Sequence, residues 1–333
     1  MPGMDHMDLP SLPPSLGRVV ALDLGAASPL AWLALLGAVA YLLGLVRLHQ
    51  RGVRWPVLRT VCWLAGTGSV FYVTASGLQS YGMVLFTEHM IQHMVLTMIS
   101  PLLMLMGAPV TLALRVLPAS RGTSGAPRRL LLAGLHSALG RFLSNPLFTV
   151  PLFIASLYGV YFTGIFDDLM SNPFGHFFML THFLVTGLLF FGPIMAIDPW
   201  PRTSGHGARM LELLLPAPFH AFFGVIVMMT DSVLLTSFAH PPASWGIDPI
   251  SDQASAGGIA WAFGEFPTVC VLAVVFFQWW ASEQRANQAV DRNRERAIAR
   301  GESGDDPEWI AYNERLRRLA ALEAMKNGTS VSS

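Results

Sequence analysis

The sequence predicts an all-α, polytopic membrane protein with seven transmembrane helices, N-out and C-in, ending in a short cytoplasmic amphipathic helix. Three observations predict it. Of 333 residues, 53% are hydrophobic and only 13% charged, far from the soluble balance. Seven apolar stretches of bilayer-crossing length follow one another. Arginines collect in alternate connections between them. The formal net charge of zero leaves no basic excess for binding nucleic acid.

A leading segment, 1–26, is placed outside the cytoplasm. Its start, "MPGMDHMD", lacks the basic region and small-residue cleavage site of a secretory signal, so it is read as uncleaved. The spans follow at about 27–46, 57–78, 83–106, 147–166, 175–197, 213–238 and 257–281, together forming a domain over 27–281. Arg47, Arg51, Arg54 and Arg59 separate spans one and two. Arg115, Arg121, Arg128, Arg129 and Arg141 separate three and four, and Arg202 and Arg209 separate five and six. The remaining connections hold acids such as Asp167, Asp168, Asp248 and Asp252. These charges put the arginine loops in the cytoplasm. The polar tail, 282–333, contains "DPEWIAYNERLRRLAALEAM", apolar at helical spacing, which reads as an amphipathic helix lying on lipid or on a partner. Cys62 and Cys270 occupy different apolar stretches without metal-ligating or disulfide spacing and are read as packing residues.

At ~1.5 Å per helical residue, His89 lies roughly 9 Å and His93 roughly 15 Å below the start of the third span. His176 sits at the mouth of the fifth span with His182 some ~10 Å deeper, Asp231 lies roughly 10 Å from the exit of the sixth, and Glu265 comes out at ~12 Å on the seventh. Four helices therefore bring ionisable groups to one layer of the outer half-membrane, where such groups are costly and need partners. His89 and His93, at i and i+4, share a helix face. Met90 and Met94 accompany them, and thioethers with imidazoles favour Cu(I), whereas calcium or magnesium want oxygen. The candidate metal-ligating set is His89, His93, His176, His182, Met90, Met94, Asp231 and Glu265, and the N-terminal methionines and His6 have the character of a flexible metal collector.

Blander readings stand beside these. His136 and His220, toward the cytoplasmic half, are read as hydrogen-bonded across helices. A methionine stripe alone is ordinary core filling. Asp231 and Glu265 fit a structural hydrogen bond or a proton relay as well as a metal. Asp198, in "AIDPWP", reads as a cap or turn residue, and His240 as a surface residue.

"EHMIQHMVLTMISPLLMLMGAP" resembles the H-M-x-Q-H-M signature, with trailing P-L-L and G-x-P, of the seven-helix bacterial cytochrome c oxidase assembly factors called CtaG. "HFFMLTHFLVTGLLFFGPIMAIDPWP" is similar to that family's fifth span, "PAPFHAFFGVIVM" to its sixth, and "WIAYNERLRRLA" to its ending; the likeness covers roughly 27–325. The Met/His-rich start lies outside these motifs. The resemblance implies a plasma-membrane protein that helps mature haem-copper oxidases at a copper-delivery step. Its motif histidines fall at His89, His93, His176 and His182. Oxidase subunits, an extracytoplasmic copper donor and membrane lipid are the implied partners.

Such a task breaks no bond and needs no catalytic residue, so the chain is read as a non-enzyme. Two alternatives use the same histidines. A copper transporter needs ligands continuing to the cytoplasmic face, where only His136 and His220 stand. A membrane cytochrome needs imidazoles on facing helices, as His89 and His182 are placed to be. Retinal binding fails because the single lysine, Lys326, lies outside every span. No HExxH, GxSxG or Walker motif supports a hydrolase.

Overall fold

The computed structural model describes residues 10–120, 122–299 and 307–328. Among them all regular structure is helical, apart from an isolated bridge between Leu22 and Ser76. The helices that position the site are α1 (Pro29–Gln50), α2 (Val57–Thr74), α3 (Phe86–Met94), α4 (Ser100–Met106), α5 (Pro109–Val116), α6 (Pro146–Tyr161), α7 (Pro173–Met195), α8 (His206–Leu214), α9 (Ala217–Met229), α10 (Pro249–Ala299) and α11 (Pro307–Gly328). The Met/His-rich start, with His6, falls outside the described residues.

Among the described residues, five helical runs are long and apolar enough to cross a membrane: Pro29–Gln50, Phe86–Val116, Pro173–Met195, His206–Met229 and Pro249–Asn293. The second and fourth expected spans are represented by α2, 18 residues that include Arg59, and α6, 16 residues. At ~1.5 Å per residue α6 extends about 24 Å, less than a full hydrocarbon core. The chain divides into two units after Phe276. In the second, α11 leaves Ile310, Leu316, Leu319 and Leu322 exposed.

Antiparallel neighbours fix the two ends of the bundle. At one end Ser28 donates its N–H to the Thr74 carbonyl, 2.9 Å. At the other, Arg51 Nη1 donates to the Arg115 carbonyl, 3.1 Å, and the guanidiniums of Arg59 and Arg115 lie 5.1 and 5.5 Å from the Trp55 ring centre. The arginines of two separate connections therefore meet at one end.

Three aspartates tie elements together across the chain by one device: each carboxylate accepts from two successive backbone N–H groups at a helix start. Asp252 takes Phe86 N, 2.6 Å, and Thr87 N, 3.1 Å, at the start of α3. Asp198 takes Val110 N and Thr111 N at the start of α5, and the Thr111 hydroxyl as well. Asp167 takes Thr236 N, Ser237 N and the Ser237 hydroxyl. Helix starts leave N–H groups unpaired and carry a partial positive charge, so an acidic cap there contributes about 0.5–2 kcal/mol. Asp198 is a cap, as its surroundings in sequence indicate, but for α5 and not for its own span.

Between α3 and α4 the chain makes one π-helical turn, Val95–Ile99. Pro101 explains it locally, because a residue without an N–H cannot bond the Thr97 carbonyl in an α register. That carbonyl faces Gly187 of α7, where an added Cβ would overlap Thr97 O and the Pro101 ring. The widened turn and the missing side chain together let α7 lie directly against α3 and α4.

The sixth span is shorter than expected. Instead of running to residue 238, its helix ends at Met229, and a short 3-10 turn, Thr236–Phe238, follows. The cause is Gln253 on α10, a side chain only 2% exposed. Its amide donates to the carbonyls of Thr230 and Ser232 and accepts from Leu234 N. Those bonds supply the backbone partners that a continued helix would have supplied, so the apolar run unrolls without leaving these groups bare.

Candidate functional site

His89 and His93 leave α3 one turn apart and point into the bundle core, where both are 0% exposed. Among the described residues, no ring nitrogen of either residue has a partner at full hydrogen-bond geometry, although the Gly82 backbone lies close enough to His89 to act on it. Their surroundings are aromatic. Phe166, Phe238, Tyr161 and Phe183 place ring centres 4.9, 5.8, 6.1 and 6.3 Å from His89. Phe183 and Tyr161 lie 4.1 and 5.4 Å from His93. The Tyr161 hydroxyl is also buried and unpartnered. A buried polar atom without a partner costs about 1–3 kcal/mol, and most of these imidazole nitrogens are left in that state.

The histidine that faces His89 from α7 is His176, with ring centres 6.3 Å apart. His182, the deeper residue expected in the layer, contacts Phe178 and Phe183, is half-buried, and lies within electrostatic reach of His93. Six residues of helix turn the direction by about 240°, so His176 and His182 take different faces. Met90 and Met94 are wholly buried in the main core, as is Met179, one turn along α7 from His176.

Two expected members are elsewhere. Asp231 lies beyond the end of α9 and is exposed. Glu265 is exposed on α10 and lines a cleft with His220. The layer of acids and imidazoles inferred from depth therefore separates into a buried imidazole cluster and two outward-facing carboxylates. Among the described residues, no three His, Cys, Asp or Glu side chains converge as a metal-ligating group.

A polar chain missed by sequence reasoning orients His176. Gln92 Nε2 donates to the Val73 carbonyl and to Gln79 Oε1, each 2.8 Å, and Gln79 Nε2 stands 3.4 Å from His176 Nδ1. The Val73 carbonyl can only accept, which identifies the Gln92 atom as nitrogen. The Gln79 atom it meets must then be oxygen, so the Gln79 nitrogen faces His176. Nδ1 accepts, and the neutral ring carries its proton on Nε2, a buried atom with no partner. Gln92 stands inside the His-Met-Ile-Gln-His-Met motif, the one signal that marked it. Gln79 and Tyr161 carry no motif.

The site is covered from the end where α3 and α7 begin. Phe166, in the short helix Ile165–Met170, and Phe238, in the Thr236–Phe238 turn, both lie on His89. Asp167 holds these two pieces together through Thr236 and Ser237.

Comparison with known proteins gives a family and three relatives. The family described as cytochrome c oxidase caa3 assembly factor, CtaG, matches residues 39–282. An uncharacterized protein of Mycobacterium bovis is 38% identical over 317 residues, 93% of this chain and 46% of the relative. One of Mycobacterium tuberculosis shows the same figures, and one of Mycobacterium leprae is 38% identical over 291 residues, 87% of this chain and 43% of the relative. The chain thus spans a little under half the length of these relatives. No solved structure matches.

Proposed function

Because the chain belongs to the cytochrome c oxidase caa3 assembly factor family, we propose that it assists oxidase maturation by holding Cu(I) at His89 and His93, with His176 as the ligand that joins or leaves. The observation that carries this reading is the pair of wholly buried imidazoles of His89 and His93, poor in hydrogen-bond partners among the described residues, in an aromatic pocket. The rings lining His89 and His93 are uncharged, which favours a monovalent ion, since a buried dication without counter-charge is much more costly. Imidazole with a thioether from Met90, Met94 or Met179 suits Cu(I) in the same way.

The 6.3 Å between the ring centres of His89 and His176 is within reach of one shared ion. With a metal–nitrogen bond of about 2.0 Å and a further ~1.2 Å from nitrogen to ring centre, two imidazoles on one ion have centres up to about 6.4 Å apart when they oppose each other in line, so taking His93 as well requires the rings to close in. Ligation by His176 Nε2 requires its proton to leave, and Nδ1 to stop accepting from Gln79. That step makes the third ligand conditional, which is useful in a protein that must release its cargo. A haem held between His89 and a facing histidine is less well supported, because the rings of Phe166, Phe183 and Phe238 fill the space beside His89 that a macrocycle would take.

In this reading the five long runs, with α2 and α6, make seven crossings of the bacterial plasma membrane, and the arginine end faces the cytoplasm. The histidines then lie in the outer half. Copper arrives from an extracytoplasmic donor and passes to a haem-copper oxidase subunit. Metal analysis of the purified full chain under reducing conditions tests it: wild type is expected to hold one Cu(I), and His89→Ala/His93→Ala none. Oxidase from the double-mutant strain is expected to lose copper while its subunits are still made. Equal copper in wild type and double mutant would remove the mechanism.

A further inference from the structure

A second feature of the bundle is the cleft of about 200 Å3 between α9 and α10, lined by Ala217, His220, Ala221, Gly264, Glu265 and Thr268 among others, whose His220 lies within electrostatic reach of His93. His220 is 4% exposed and its Nδ1 has no hydrogen-bond partner among the described residues. That atom points at Gly264, where an added Cβ would overlap it, so the missing side chain keeps the cleft open onto the imidazole. At the rim stands the carboxyl of Glu265, exposed, sixteen residues or roughly 24 Å past the start of α10. Around it Trp261, Phe266 and Val269 are 47%, 70% and 62% exposed, the composition of a face meant for apolar surroundings. A carboxylate in such a belt normally faces a partner and not lipid. Alanines and a glycine beside it allow another helix to approach closely.

We infer that this cleft docks a transmembrane helix of the client oxidase subunit, which inserts one basic side chain, Arg or Lys, between Glu265 and His220. The Glu265 carboxylate accepts, as does whichever ring nitrogen of His220 is unprotonated, and the volume suits one long side chain. The inference rests on the assembly-factor reading for its partner, but not on copper binding.

The test uses the full chain, co-expressed with the oxidase subunits in membranes, with a photo-crosslinking residue at Val269. The expected result is an adduct containing the oxidase subunit. Its yield should fall about ten-fold or more in Glu265→Leu, since loss of one member of a desolvated charge pair weakens association by at least that much. Glu265→Asp, which keeps the charge, should restore most of it. An adduct containing only a second copy of this chain, only lipid, or one whose yield is unchanged in Glu265→Leu overturns the inference. Copper content separates the two readings: Glu265→Leu should hold as much Cu(I) as wild type, and His89→Ala should crosslink as well as wild type. A client adduct from a chain that binds no copper sinks the copper reading alone, and copper binding without the adduct sinks the docking reading alone.

Discussion

Asp167 and Ser237, seventy residues apart in sequence, are joined twice: the carboxylate accepts from the Ser237 backbone N–H at 2.8 Å and from its hydroxyl at 2.5 Å. Through this contact the two elements that lay Phe166 and Phe238 on His89 behave as one cover. Asp167→Ala removes the cap and should lower the melting temperature by roughly 2–4 °C, for a loss of about 1 kcal/mol. It should also speed modification of His89 by an imidazole-directed reagent, read by mass spectrometry. Protection of His89 equal to wild type would show that the cover holds without Asp167.

The same contact has a pH signature. Burial is the largest single influence on the Asp167 carboxyl and pushes it up, but the hydrogen bonds from Ser237 and Thr236 together outweigh burial and hold it below its ordinary 3.8. A carboxyl depressed in the folded state contributes its stability fully above the unfolded value and loses it as pH falls through the lower, folded value. The melting difference between wild type and Asp167→Ala is therefore expected to stay constant from pH 8 to 5 and to shrink only below about 4. A difference that shrinks between pH 7 and 6 would assign the effect to another group.

His89→Leu should separate stability from function. Replacing a buried imidazole poor in hydrogen-bond partners with an apolar side chain relieves a desolvation cost of about 1–3 kcal/mol. The metal-free variant is expected to melt above metal-free wild type, the reverse of most core substitutions, while losing copper. A lower melting temperature would mean that the His89 nitrogens are satisfied in the membrane.

Gly187→Ala probes the approach of α7 to the π turn. Its Cβ would fall on Thr97 O and Pro101, so α7 must shift, at about 1–3 kcal/mol by the cost of overpacking. Because α7 carries His176, copper binding should weaken together with stability. Unchanged copper affinity in a destabilised Gly187→Ala protein would show that His176 is no ligand.

The legible parts of this site were those encoded locally. His89 and His93 share a face because four residues make about one turn, and the structure buries both. The fifth span shows what depth alone misses: His176 and His182 are both histidines of one apolar helix, yet their relation to His89 depends on how α7 is rotated, and Gly187 against Thr97 sets that rotation. Asp231 was misplaced for a different reason. Val233, Leu234 and Leu235 continue an apolar run, and nothing near them in sequence tells that Gln253, about twenty residues on, will supply partners to their backbone. The Gln92–Gln79–His176 chain was hidden because its links join α3 to Gly77–Tyr81 and then to α7, a long-range relation no spacing encodes.

That chain yields the sharpest test of His176. Gln79 donates to Nδ1 and so keeps the proton on Nε2, the atom a metal would take. In Gln79→Glu the same position offers two acceptors: one carboxylate oxygen continues to receive Gln92 Nε2, and the other receives a proton from Nδ1. The ring then presents an unprotonated Nε2, the arrangement in which carboxylates orient metal-ligating histidines elsewhere. Cu(I) affinity, measured by competition with a chromophoric chelator, is expected to rise about ten-fold, in the range that changes behind a ligand produce. Delivery should slow, because the third ligand no longer leaves readily, so oxidase maturation is expected to fall even as binding tightens. An affinity unchanged in Gln79→Glu, with the protein still folded, would exclude His176 from the coordination and leave His89 and His93 to hold the ion without it.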